Sequence, residues 1–285
     1  MPPHATDRTL TLKGISFHYR DWGGTGTPLV LLHGLASTSH IWDLTAPLLA
    51  QGCRVLALDQ RGHGTTAKPD NGYDFKTFVG DLHAFVHETG LERPLVAGHS
   101  WGGNVALEYG AAFPDEPRGL VLLDGGTFEV GAYMNWEETL ERLSPPPLAG
   151  VPLVDFKARL RGFFGDDLLT PEVEAIILRN FEVDAEERIY PRLSRELHLR
   201  IVRALWEQRP SQLYERVQCP VLILPVRWEG RDDPERLAIK AREIALAEKL
   251  LRDVQVIWFD DSLHDVPLQR PQELADTIAR FANRL

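Results

Sequence analysis

The sequence predicts an α/β protein: a mostly parallel sheet of about eight strands, flanked by helices and interrupted by a helical insertion. Three observations carry this. Short runs that are apolar on both faces recur along the chain, helical patterns lie between them, and one long stretch lacks such runs.

Leu10-Thr11-Leu12 and Ile15-Ser16-Phe17-His18-Tyr19 open the series and suggest an antiparallel start. Leu29-Val30-Leu31-Leu32, Val55-Leu56-Ala57-Leu58, Leu95-Val96-Ala97, Leu120-Val121-Leu122-Leu123, Val221-Leu222-Ile223-Leu224 and Val254-Gln255-Val256-Ile257-Trp258 follow. Gly, Pro and Asp bound them, as they bound strands. Runs apolar on both faces need cover on both faces, which predicts parallel strands between helices.

Between Leu123 and Val221 the pattern is helical and punctuated by Pro. Thr170-Pro171-Glu172 reads as an N-cap with Pro in the first turn, followed by Val173, Ile177 and Phe181 at four-residue spacing. Leu197, Ile201 and Leu205 repeat that spacing. The reading assigns residues 128-213 to a helical cap inserted into a core domain of residues 1-127 and 214-285, with Pro145-Pro146-Pro147 as a stiff connection. A last amphipathic helix opens at Pro271 and carries Leu274, Ile278, Phe281 and Leu285.

With 285 residues, 44% hydrophobic and 25% charged, the chain suits one large core with an insertion. Its net charge of -10, with scattered basic residues, leaves no basic face for phosphates, so nucleic acid is not an expected partner. The first eight residues lack an apolar segment, and no later run approaches the roughly 20 apolar residues of a membrane span. A cytoplasmic protein without a membrane partner is expected. Cys53 and Cys219 are far apart in sequence and each adjoins a predicted buried strand, which suits inert core thiols better than a disulfide or a metal pair.

Gly98-His99-Ser100-Trp101-Gly102 joins a predicted strand to a predicted helix. A serine between glycines there sits on a sharp turn that thrusts its hydroxyl outward. A serine hydroxyl is a poor nucleophile at neutral pH, so it needs a base, a group to orient that base, and donors for a developing oxyanion. His264, on the loop between the last strand and the last helix, is the candidate base. His33-Gly34-Leu35 follows the third strand, so the backbone N–H groups of Leu35 and Trp101 are the candidate oxyanion-hole donors.

Together His33-Gly34-Leu35, Asp59-Gln60-Arg61-Gly62-His63-Gly64, Gly98-His99-Ser100-Trp101-Gly102-Gly103 and His264 with Pro271-Gln272-Glu273-Leu274 resemble the α/β-hydrolase superfamily. The resemblance extends from about Ile15 to Leu285. It implies the α/β-hydrolase fold, and the first half is similar to the esterases, cofactor-free haloperoxidase-like enzymes and carbon–carbon bond hydrolases of that superfamily. Epoxide hydrolases and haloalkane dehalogenases form an alkyl ester on a carboxylate nucleophile, whereas this chain has Ser100. The resemblance leaves three candidates for the acid. Asp233, with Gly230, fits a Gly-x-x-Asp pattern several residues late and also suits a helix N-cap; Glu229 fits if no insertion is assumed; Asp124 ends the sixth strand before Gly125-Gly126. Asp124 is favoured.

The expected activity is cleavage of a small-molecule ester or related acyl compound through an acyl-enzyme, with perhydrolysis or carbon–carbon cleavage as alternatives on the same residues. A catalytically vestigial ligand-binding homologue is the alternative of a different class. No cofactor and no metal are expected, because His83 and His87 lack the Glu of H-E-x-x-H and read as a solvated helix face. Asp59, Arg61 and His63 read as a structural brace and His99 as a packing residue. The Trp101 side chain is expected to face the cavity, and Met134, Trp136 and Phe163-Phe164 either line it or pack among helices.

Overall fold

A computed structural model describes residues 4–228 and 232–285. The first six strands are β1 (Thr6–Leu12), β2 (Ile15–Gly23), β3 (Thr27–Leu32), β4 (Cys53–Leu58), β5 (Leu95–His99) and β6 (Gly119–Leu123). The insertion carries β7 (Val151–Pro152), β8 (Phe181–Val183) and β9 (Arg188–Pro191), and the chain returns through β10 (Val221–Leu224), β11 (Val226–Arg227), β12 (Val254–Val256) and β13 (Phe259–Asp260). The main sheet runs β1-β2-β4-β3-β5-β6-β10-β12. β1 pairs antiparallel with β2 and β2 with β4, and every other pairing is parallel, so β2 alone runs against its neighbours.

Side chains alternate across a strand, and here both faces are apolar. Val30, Leu32, Leu56, Leu58, Val96, Leu120 and Leu122 point to one side, where α2 (Phe75–Glu88) and α3 (Trp101–Ala112) cover them. Leu29, Leu31, Val55, Ala57, Leu95, Ala97, Val121 and Leu123 point to the other, under α1 (Ala46–Leu49) and the C-terminal α11 (Pro271–Arg284). On α11 the predicted stripe of Leu274, Ile278 and Phe281 is buried. Cys53 and Cys219 are buried free thiols, and burial pushes both up, Cys219 to about 12.

The insertion holds α4 (Val130–Tyr133), α5 (Trp136–Leu143), α6 (Leu153–Phe164), α7 (Pro171–Leu178) and α8 (Arg195–Glu207). Thr170 caps α7 by accepting from the Val173 N–H, with Pro171 in the first turn. Phe181 is a correction to the helical stripe: α7 stops at Leu178, and Phe181 opens β8 in a three-stranded sheet ordered β7-β9-β8. Leu193, Leu197 and Ile201 of the segment belong to one hydrophobic core cluster, and Val173, Ile176 and Ile189 to the other. After β10 come α9 (Pro234–Leu250) and the short α10 (Val266–Gln269) ahead of α11. No helix among the described residues is long and apolar enough to cross a membrane.

Candidate active site

β3 hydrogen-bonds to both β4 and β5, so strands are added to opposite sides of β3. Open α/β sheets bind ligands in the crevice beyond the carboxyl ends of strands at such a reversal. Ser100 stands there, between β5 and α3, with φ 53° and ψ -126°. A non-glycine residue with positive φ is strained by about 1–3 kcal/mol and persists only when its surroundings fix it. Here the Ser100 N–H donates to Leu123 O at 2.8 Å and the Gly103 N–H to Ser100 O at 2.8 Å. The turn also needs bare backbone: a Cβ on Gly98 would lie 2.1 Å from Gly102 O, and one on Gly102 would lie 2.6 Å from His33 O.

Asp124 ends β6 with φ 43°, a conformation that Asp tolerates better than most residues. Its N–H donates to Leu224 O at 2.9 Å, which holds the turn against β10. His264 lies between β13 and α10, and its Nδ1 is 2.6 Å from Asp124 Oδ2. The other oxygen, Oδ1, accepts from Lys240 Nζ at 2.8 Å and from the Val226 N–H at 3.2 Å. The Asp124 side chain is 8% exposed and that of His264 49%. Burial alone would favour a protonated Asp124, but the bond to His264 and the charges of His264 and Lys240 hold its carboxyl well below the usual range. His264 is opposed by desolvation, yet the bond to Asp124 and its charge raise the imidazole above its ordinary value. With Nδ1–H donated to a carboxylate, Nε2 carries the free lone pair.

His99 is buried, and its Nε2–H donates to His264 O at 2.9 Å. That bond ties the loop of the candidate base to the end of β5. Burial and the neighbouring His264 charge lower the His99 imidazole to about 4, so it stays neutral.

Opposite Ser100, the turn at His33-Gly34-Leu35 approaches closely: a Cβ on Gly34 would be 3.1 Å from Ser100 Cβ. Neither the Leu35 nor the Trp101 N–H has a backbone or side-chain acceptor among the described residues. For Trp101, the first residue of α3, this follows from its place at a helix N-terminus. The turn is braced from behind. Burial keeps His33 and His63 below the ordinary imidazole range, so their Nε2 atoms accept, His33 from the Gln60 N–H at 3.0 Å and His63 from the Ala36 N–H at 3.2 Å. Asp59 accepts from the Ser39 N–H at 2.7 Å and pairs with His18 Nδ1 at 2.8 Å. Arg61 makes two bonds to Asp81 on α2, at 2.7 and 2.9 Å.

Several expectations end elsewhere. Asp233 caps α9 by accepting from the Glu235 N–H at 3.1 Å, Asp232 accepts from the Trp228 N–H at 2.7 Å, and Glu229 lies outside the described residues. The Trp101 indole is 2% exposed and packs in the core, stacked on His63 at 5.3 Å and edge-on to Phe78 at 4.7 Å, because the first turn of α3 leans on α2. Trp136 packs on Trp206, and Phe163 pairs with Phe164 while staying 55% exposed. One residue beside the candidate site was missed by sequence reasoning: Lys240 sits on α9 with nothing local to mark it. His99, read as a packing residue, is buried as expected and adds the bond to His264 O.

A model of the alpha/beta hydrolase family matches residues 29–277. Over 124 residues the chain is 36% identical to a soluble epoxide hydrolase of Corynebacterium sp. (strain C12), covering 44% of this chain and 43% of the relative. It is 34% identical over 115 residues to a bifunctional esterase/perhydrolase of Acinetobacter calcoaceticus, covering 40% of this chain and 42% of the relative. Each match thus spans less than half of the relative's length. Among solved structures, E-2-(acetamidomethylene)succinate hydrolase superposes with a TM-score of 0.81 at 21% identity, over 98% of this chain and 100% of that one, a likeness of fold. With most of its length matched by the family model, the chain belongs to the alpha/beta hydrolase family.

Proposed function

We propose that this chain is a serine hydrolase that cleaves a small ester or comparable acyl compound through an acyl-enzyme. The observation that carries the reading is the 2.6 Å bond between His264 Nδ1 and Asp124, in a protein whose turn after β5 presents Ser100. Family membership alone leaves the chemistry open, because one fold hosts many reactions. The residue at position 100 narrows it: an alkyl-ester route needs a carboxylate there, and a serine supports acyl transfer instead.

His264 Nε2 takes the Ser100 proton as Oγ attacks the substrate carbonyl, and Asp124 stabilises the imidazolium that forms. The Leu35 and Trp101 N–H groups receive the oxyanion. His264 returns the proton to the leaving group, which departs and leaves the acyl group on Ser100. Water then enters and repeats the sequence, releasing the acid and restoring the hydroxyl. Half exposure of the imidazole is consistent with water reaching it for this second half. Among the described residues neither Ser100 Oγ nor His264 Nε2 has a protein hydrogen-bond partner, so the bond between them that carries the proton has to form with substrate in place.

A fluorophosphonate probe tests the reading, with the adduct located by mass spectrometry. Stoichiometric labelling of Ser100, lost in Ser100→Ala together with turnover of short aryl esters, is the expected result. A wild-type protein that is folded yet neither labelled nor active overturns it in favour of a vestigial binding homologue.

A further inference from the structure

The C-terminal half of α2 carries His83 and His87 one turn apart, and the fold brings Glu116, from the turn after α3, against both. Glu116 Oε1 lies 2.9 Å from His83 Nδ1 and 3.4 Å from His87 Nε2, and one ligand atom from each of the three residues falls within 4.8 Å of the others. Ligands about 2.0–2.2 Å from a tetrahedral zinc are separated by roughly 3.3–3.5 Å. The His87–Glu116 separation falls at that spacing and the His83–Glu116 separation is shorter, while the two imidazole donors stand within 4.8 Å of each other. The Glu116 carboxylate is held from behind by Tyr109 Oη, which donates to Oε2 at 2.6 Å. The His83 ring is stacked on Phe113 at 4.2 Å and 10°. An orienting hydrogen bond on one ligand and a packed ring on another are what metal sites use to fix their donors. With side chains 34%, 61% and 26% exposed, all three residues are reachable by an ion from solvent.

We propose that His83, His87 and Glu116 bind a divalent transition-metal ion of the zinc class, tying α2 to the turn that follows α3. Two imidazoles and one carboxylate favour zinc, cobalt or nickel over magnesium or calcium, which take oxygen ligands. Three protein ligands leave one tetrahedral position for water. The site is separated from Ser100 by the length of α3, about 18 Å for 12 residues, so its role is to fasten the two helices rather than to take part in acyl transfer. Binding replaces the His83–Glu116 and His87–Glu116 hydrogen bonds, and any proton on the coordinating nitrogens leaves to solvent.

The test uses the full chain without an affinity tag, stripped with chelator and desalted. Zinc is titrated by calorimetry, cobalt by visible absorption, and melting temperature is followed with each. The expected result is one saturable equivalent, cobalt d–d bands, and a rise in melting temperature, all lost in His83→Gln/His87→Gln. Tyr109→Phe, which removes the hydroxyl behind Glu116, weakens binding by about 10- to 100-fold. No saturable binding by the wild type, or one equivalent bound unchanged by the double variant, overturns the proposal and leaves the cluster a plain ion pair.

Discussion

Lys240 Nζ lies 2.8 Å from Asp124 Oδ1 while the other Asp124 oxygen holds His264 Nδ1, so one buried carboxylate is shared between a lysine side chain and an imidazole. Lys240 also donates to Val226 O at 2.9 Å, which fixes it to the strand beside the site. The arrangement has two opposed effects. Lys240 keeps Asp124 ionised and anchored, yet its positive charge disfavours the imidazolium that Asp124 favours.

The pH dependence follows from the net direction. Desolvation lowers the His264 pKa, but the Asp124 bond and charge outweigh it, and the result stands above the ordinary imidazole value of 6.5. A base must be neutral to accept a proton, so activity is lost as pH falls through this raised value. The expected kcat/KM profile for a neutral ester has an acid limb with its midpoint above about 6.5. A midpoint clearly below that value shows that the titrating base is not an imidazole paired with Asp124.

Lys240→Met separates the two roles of the lysine. Removing its charge relieves the repulsion on the imidazolium, so the acid limb moves to still higher pH. Asp124 keeps the Val226 N–H but loses the Lys240 bond to Oδ1, so kcat falls at the pH plateau as well. Lys240→Arg retains the charge and is expected to hold the limb near its wild-type position. Full pH–rate profiles of the three proteins check this; identical profiles would remove Lys240 from the site's electrostatics.

The strands were legible because a sheet covered on both faces writes itself as unbroken apolar runs, as Leu29–Leu32 and Leu120–Leu123 do. β8 and β9 carry no such signal, since Ile189 is their only fully buried residue and Phe181 falls in phase with the preceding helix. In the site, Ser100 and His264 stood out through their place relative to strands and helices. The candidate acid did not, because Asp124 and Asp233 both follow strands and only the loop path decides which carboxylate meets His264. Lys240 is 116 residues from Asp124 in sequence, and no local pattern announces such a pair.

Arg61 and Asp81 give a prediction about stability. Their two-bond pair is buried, the side chains being 7% and 5% exposed, and it fastens the loop behind His33 to α2. Removing one partner of a buried pair leaves an uncompensated charge and costs about 3–5 kcal/mol. Asp81→Asn should therefore lower the unfolding free energy by an amount in this range, read from urea midpoints at constant slope. A loss below about 1 kcal/mol would mean that water reaches the guanidinium and the brace is dispensable.

Asp124→Asn and Asp233→Asn distinguish the orienting acid from a helix cap. An Asn at 124 has one oxygen to offer, and the Lys240 ammonium and the Val226 N–H both claim it. Its NH₂ group then faces His264 Nδ1, which must accept, so the imidazole proton moves to Nε2. The base loses the lone pair it needs, and the expected cost is on the order of 10³ to 10⁴ in kcat. At 233 an Asn caps a helix about as well as an Asp, so turnover should be unchanged and the exposed site should lose no more than about 0.5 kcal/mol of stability. Steady-state kinetics with thermal unfolding of both variants decide the matter. Near-normal kcat in a folded Asp124→Asn protein, with collapse in Asp233→Asn, would move the acid to the loop after β10.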